Sequence, residues 1–70
     1  MNEVIFIVEE NEEGGYRAKG LGVSIFTEAD NMPELKEAIK DAVRCHFDED
    51  DKSRPQIIRL HLIKEELIAA

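Results

Sequence analysis

Val4-Ile5-Phe6-Ile7-Val8 is apolar at five successive positions, and every side chain in it is β-branched or aromatic. Side chains alternate between the two sides of a strand, so this run reads as a strand covered on both faces. That demands two layers of cover from a chain of only 70 residues. A domain of that size buries about 60% of the surface its unfolded chain exposes, which leaves a small core. Small domains offset the shortfall with disulfides, metals or oligomerisation. The single cysteine, Cys45, excludes an internal disulfide, and no Cys/His set has structural-zinc spacing. Self-association is the remedy left.

After this first strand, Asn11 to Gly15 has turn chemistry, with glycines free to take positive φ. Tyr16 to Leu21 reads as the returning strand, punctuated by Gly20 and Gly22, and Val23 to Glu28 as a third. Asn31 is a good N-cap with Glu34 three residues on, and Pro33 is tolerated in a first turn. The helix is expected over Met32 to Phe47. At 100° per residue Met32, Leu35, Ile39, Ala42, Val43 and His46 form one stripe, with Lys36, Lys40 and Arg44 as a basic ridge beside it. Asp48 to Pro55 is a polar connection, and Arg54-Pro55 restarts the chain extended. Gln56 to Ile63 alternates as a strand: Ile58, Leu60 and Leu62 point one way, and Ile57, Arg59, His61 and Ile63 the other. Lys64 to Ala70 is open between a strand extension and a helical turn.

The expected fold is one α+β domain over residues 1–70, ordered β-β-β-α-β. An antiparallel-rich four-stranded sheet carries its helix on one face. One helix covers one face only, and no further element remains for the second. A second copy of the chain is the economical cover. The expectation is a homodimer or higher even oligomer, joined through Ile5, Ile7, Ile57, Arg59, His61 and Ile63.

Sixteen acidic against nine basic residues give a formal charge of −7. Such a chain repels phosphate backbones and anionic membranes, so neither direct nucleic-acid binding nor membrane association is expected. The first residues lack a basic n-region and a long apolar stretch, so neither a secretory signal nor a span is read there. With the lone thiol, this points to the cytoplasm. The acids are clustered, as Glu9, Glu10, Glu12 and Glu13 around the turn and as the run Asp48-Glu49-Asp50-Asp51. A basic partner would complement them, speeded in its approach by charge.

No catalytic set emerges, and neither a metal nor a cofactor is expected. Cys45 and His46 are adjacent on a helix and diverge by 100°, so they do not form a nucleophile–base pair. His46 is expected partly buried in the stripe, Cys45 as a small hydrophobe on its flank, and His61 as an interface residue. The Asp48 run lacks the calcium-loop pattern, and Gly14-Gly15 is a turn rather than a phosphate loop.

Three segments together resemble the HicB-like antitoxin domain family. They are the acidic hairpin from Glu12 through Gly14-Gly15-Tyr16 to Ala18, then Ile25-Phe26-Thr27, then Asn31 to Ala38. The likeness covers roughly residues 3–63. It implies a partial RNase-H-like fold that commonly self-associates. In two-gene toxin–antitoxin systems, HicB-type proteins bind and silence a small basic ribonuclease, HicA. The Pro-x-x-Pro-Gly stretch usual in the family is Lys19-Gly20-Leu21-Gly22-Val23 here, and its usual Gly-Asp is Ala29-Asp30. Family members often continue into a DNA-binding segment beyond the position of Ala70, so operator binding is not expected. Closer likeness is to short stand-alone relatives with the same Arg44-Cys45-His46-Phe47 and Ile58-Arg59-Leu60-His61-Leu62 runs. Some of those are labelled as pieces of a 2-oxoisovalerate dehydrogenase subunit, but these residues show no thiamine-diphosphate site, and dehydrogenase chemistry is not expected.

The leading expectation is an antitoxin-like module that masks a small basic ribonuclease through Glu9, Glu10, Glu12, Glu13, Asp48, Glu49, Asp50 and Asp51. The alternative is a stand-alone oligomeric domain with a scaffolding or small-ligand role. An enzyme using Cys45, His46 or His61 stands behind both.

Overall fold

The central place in the sheet goes to the strand whose sequence is apolar on both faces. The computed structural model describes residues 2–70. Its elements are β1 (Glu3–Glu10), β2 (Tyr16–Gly20), β3 (Phe26–Ala29), α1 (Met32–His46) and β4 (Ile57–Ile63). The sheet is ordered β3-β2-β1-β4. β1 lies antiparallel to β2 and parallel to β4, and β2 antiparallel to β3. This is the α+β arrangement expected from the sequence, a mixed sheet with a single helix.

α1 starts where its capping chemistry places it. The Asn31 side chain accepts from the Glu34 N–H at 2.9 Å, and Pro33 sits in the first turn. Leu35, Ile39 and Val43 are buried in one core with Val4, Phe6, Val8, Ala18 and Ile25. Their spacing of four keeps them on one helical face, and Val4, Phe6 and Val8 alternate on one face of β1.

Some boundaries and placements differ from the sequence expectation, each for a local reason. β3 begins at Phe26 rather than Val23, and β2 stops at Gly20. The Gly20 N–H donates to the Ile25 carbonyl, which folds residues 21–25 into a turn, while the Leu21 N–H still donates to the Ile5 carbonyl across from β1. A Cβ on Gly20 would stand 2.5 Å from Val23 Cγ2, so that turn needs glycine there. α1 ends at His46, and Phe47 is an extended cap whose N–H donates to the Val43 carbonyl at 3.0 Å. His46 is exposed instead of partly buried. The stripe's last buried residue is Val43, and half-buried Phe47 takes the next apolar place. Its ring meets that of His46 edge to face at 4.9 Å. Cys45 is exposed as well. Residues 64–70 form neither strand nor helix.

The face away from α1 has no cover among the described residues. Register sets its rows: Phe26, Lys19, Ile7 and His61 form one, and Ile5 and Arg59 part of the next. Ile5 and Ile7 are half-buried, whereas Ile57, Arg59, His61 and Ile63 are exposed. All six residues expected at a self-association surface therefore share this face. On the helix side, α1 stops short of β4. A cleft of about 470 Å³ opens there, floored by Ile58 and Leu60 and walled by Pro33, Ile39, Lys36 and Lys40.

Candidate functional site

Two glycines shape the acidic end of the molecule. Gly14 and Gly15 take φ of 95° and 82°, a region that a side chain disfavours, and so close the turn between β1 and β2. The Asn11 N–H donates to the Gly15 carbonyl at 2.9 Å, and the Gly14 N–H to the Asn11 carbonyl at 3.1 Å. A Cβ on Gly15 would lie 2.9 Å from the Ala29 carbonyl, so β3 packs close behind the turn.

Arg17 organises this end. Its guanidinium donates to Asn11 Oδ1 at 2.6 Å and to Glu9 Oε2 at 2.7 Å. Register sets Arg17 between Glu9 on β1 and Glu28 on β3, so one fixed cation stands between two carboxylate-bearing positions. On the other side of Glu9 stands Ile63, at the end of β4. From there the chain passes the hairpin and encloses a cleft of about 420 Å³. Glu9, Glu10, Glu12 and Glu65 line it around Arg17 and Lys64, with Ile63 and Leu67 as its apolar part. Four carboxylates against two cations, beside exposed apolar surface, suit a cationic segment of another protein.

Glu13 lies in the same turn and is exposed. Asp48, Glu49, Asp50 and Asp51 do not join it. Their loop leads into β4 at the opposite end of β1, where the Gln56 and Ile57 N–H groups donate to the Asn2 carbonyl. The Asn2 side chain in turn donates to the Lys52 carbonyl at 2.9 Å. Inside this loop the Ser53 hydroxyl and N–H both donate to the Asp51 carboxylate, at 2.6 and 2.8 Å. They hold Asp51 below the usual carboxylate range. At ~3.3 Å per residue, β1 separates the two acidic clusters by roughly 25 Å.

The tail's contribution was missed from the sequence. Glu65 reaches the hairpin because β4 pairs with β1 in a register that sets Ile63 beside Glu9. Only that long-range pairing could have announced it.

The residues considered for chemistry stay apart. Cys45 and His46 lie exposed at the end of α1, and His61 stands on the uncovered sheet face. Among the described residues, no three His, Cys, Asp or Glu side chains group to hold a metal ion. No helix among them is long and apolar enough to cross a membrane.

No protein-family model matches this chain, and no solved structure does either. Two curated relatives carry the name UPF0150 protein. The one from Thermotoga maritima is 46% identical over 67 residues, which cover 96% of this chain and 91% of that protein. The one from Archaeoglobus fulgidus is 55% identical over 51 residues, covering 73% and 76% respectively.

Proposed function

This chain belongs to the UPF0150 family, and from that premise we propose that it is an antitoxin-like, HicB-like binding module that masks a small basic ribonuclease in the cytoplasm. The observation that carries the reading is the hairpin-end cleft, where Glu9, Glu10, Glu12 and Glu65 surround an apolar wall. A net charge of −7 draws a basic partner, and clustering focuses that attraction. The second cluster, Asp48 to Asp51, serves the same partner from the far end of β1. Its distance of roughly 25 Å is close to the ~30 Å breadth of a small domain, so one toxin can span both. No catalytic step is assigned to Cys45, His46 or His61.

The reading is tested by capture from the source cytoplasm at low salt. The expected result is a stoichiometric small basic protein that is released as salt rises. Replacing Glu10, Glu12, Glu13 and Glu65 by Gln should weaken capture, and adding Asp48→Asn, Glu49→Gln and Asp50→Asn should weaken it further. Unchanged capture by the combined variant would sink the electrostatic reading.

The uncovered sheet face favours a second reading, a stand-alone oligomeric domain built through Ile5, Ile7, Ile57, Arg59, His61 and Ile63. Recovery of a homo-oligomer with no basic protein, at any salt, would move the assignment there.

A further inference from the structure

β4 forms one edge of the sheet and carries none of the usual guards against pairing. Edge strands are commonly kept short, charged, bulged or broken by proline. The other edge, β3, follows that rule with four residues that include Glu28. β4 runs for seven residues, Ile-Ile-Arg-Leu-His-Leu-Ile, paired one to one with β1 and without a bulge. Its one charged group, Arg59, is already paired with Glu3. Meanwhile Ile57, Leu62 and Ile63 are exposed by 37%, 60% and 43%.

We propose that β4 pairs antiparallel with β4 of a second copy, about a twofold axis that passes through Leu60 perpendicular to the sheet. The inference is independent of the antitoxin reading. With the axis at Leu60, the two Leu60 side chains face each other, Ile58 faces the second copy's Leu62, and Ile57 faces the second copy's Ile63. Arg59 faces the second copy's His61, with its own charge held by Glu3. Every apolar side chain of the strand meets an apolar one. Moving the axis to Arg59 opposes two guanidinium groups and sets Leu62 against Gln56. Moving it to His61 opposes two imidazoles and sets Ile57 against Glu65. The sequence of β4 thus selects a single register for pairing with itself.

The chain exposes 5633 Å², about 1,200 Å² more than the roughly 4,450 Å² expected for a compact monomer of its mass. The unpacked tail, with Leu67 and Ile68 almost fully exposed, carries part of that excess, and Ile57, Leu62 and Ile63 at the β4 edge add apolar area to it. A standard interface removes about 800 Å² from each partner. A perpendicular axis keeps both helices on one side of an eight-stranded sheet. The two clefts beside α1 then meet across the axis, above Ile58, Leu60 and Leu62 of both copies. Pairing also removes the open edge, which is otherwise a site of uncontrolled association.

Cysteine cross-linking of the full chain tests the register, in a Cys45→Ser background because Cys45 is exposed. Opposed residues of an antiparallel pair stand about 4.5–5.5 Å apart between Cα atoms, inside the ~4.4–6.8 Å window of a disulfide. Leu60→Cys is expected to form a covalent dimer, whereas Leu62→Cys is not. Ile57→Cys mixed with Ile63→Cys, both at exposed positions, should cross-link far more than either alone and keeps the test open if Leu60→Cys fails to fold. A chain that sediments as a monomer at every concentration would overturn the proposal. So would equal cross-linking of Ile57→Cys alone and in the mixture.

Discussion

Arg59 grips Glu3 with two hydrogen bonds, Nε to Oε1 at 3.0 Å and Nη2 to Oε2 at 3.1 Å, across 56 positions of sequence. This paired geometry joins the edge strand to the central one on the uncovered face. The Arg59 guanidinium holds the Glu3 carboxyl below its ordinary value of 4.5, and Glu3 raises Arg59 in return. A carboxylate lowered in the folded state stabilises fully above its unfolded value, and that contribution fades as pH falls through the lowered one. Glu3→Gln should therefore lower the melting temperature at neutral pH, with the gap to the parent closing in acid. A gap of the same size at pH 3 and pH 7 would show that the pair contributes through packing rather than charge.

Gly20 is a second sensitive point, because its missing Cβ leaves room for Val23. Gly20→Ala should cost about 1–3 kcal/mol in urea unfolding, the range for forced overpacking. Val23→Ala added to it should recover part of the loss, a coupling that two independent sites would not show.

The core depends heavily on Leu35, which is fully buried against the sheet. Leu35→Ala should remove about 2–5 kcal/mol by lost transfer and cavity terms. A chain this short has only about 4–10 kcal/mol in total, so the variant should lose a large share of its stability and melt well below the parent by circular dichroism. Leu35→Met conserves volume and should cost less than about 1.5 kcal/mol.

Asn31 tests the helix start separately from the core. Losing its bond to the Glu34 N–H through Asn31→Ala should cost about 1 kcal/mol, while Asn31→Ser retains an acceptor and most of the stability.

Salt separates the two proposed associations. Capture of a basic partner at the hairpin should weaken as ionic strength rises from 0.05 M to 0.5 M. Self-pairing through Ile57, Ile58, Leu60, Leu62 and Ile63 is apolar and should persist over the same range. Loss of both together would mean that one surface serves both.

Much of the fold was legible in local patterns. β1 and β4 announced themselves by composition and alternation, and α1 by its cap and its period. The start of β3 was hidden because Gly20 and Gly22 mark a turn without fixing its length. That length follows from the approach of Gly20 to Val23 and from the bond of Gly20 to Ile25. His46 had the right angle for the apolar stripe, but a periodicity does not know that burial ends at Val43 and resumes at Phe47. The candidate site was half legible. The hairpin acids and their turn were local, whereas the arrival of Glu65 and the separation of Asp48 to Asp51 both depend on the parallel pairing of β4 with β1.

That parallel pairing also sets a timetable. β2, one neighbour of β1, follows it directly in the chain, whereas β4, the other, comes only after β2, β3 and α1. The β1–β2 hairpin and α1 rest on local contacts and can form early, while the second side of the most apolar strand waits for a pairing across a long loop of chain. Until that pairing forms, β1 keeps an open, sticky edge, and that is the interval in which chaperone contact matters most.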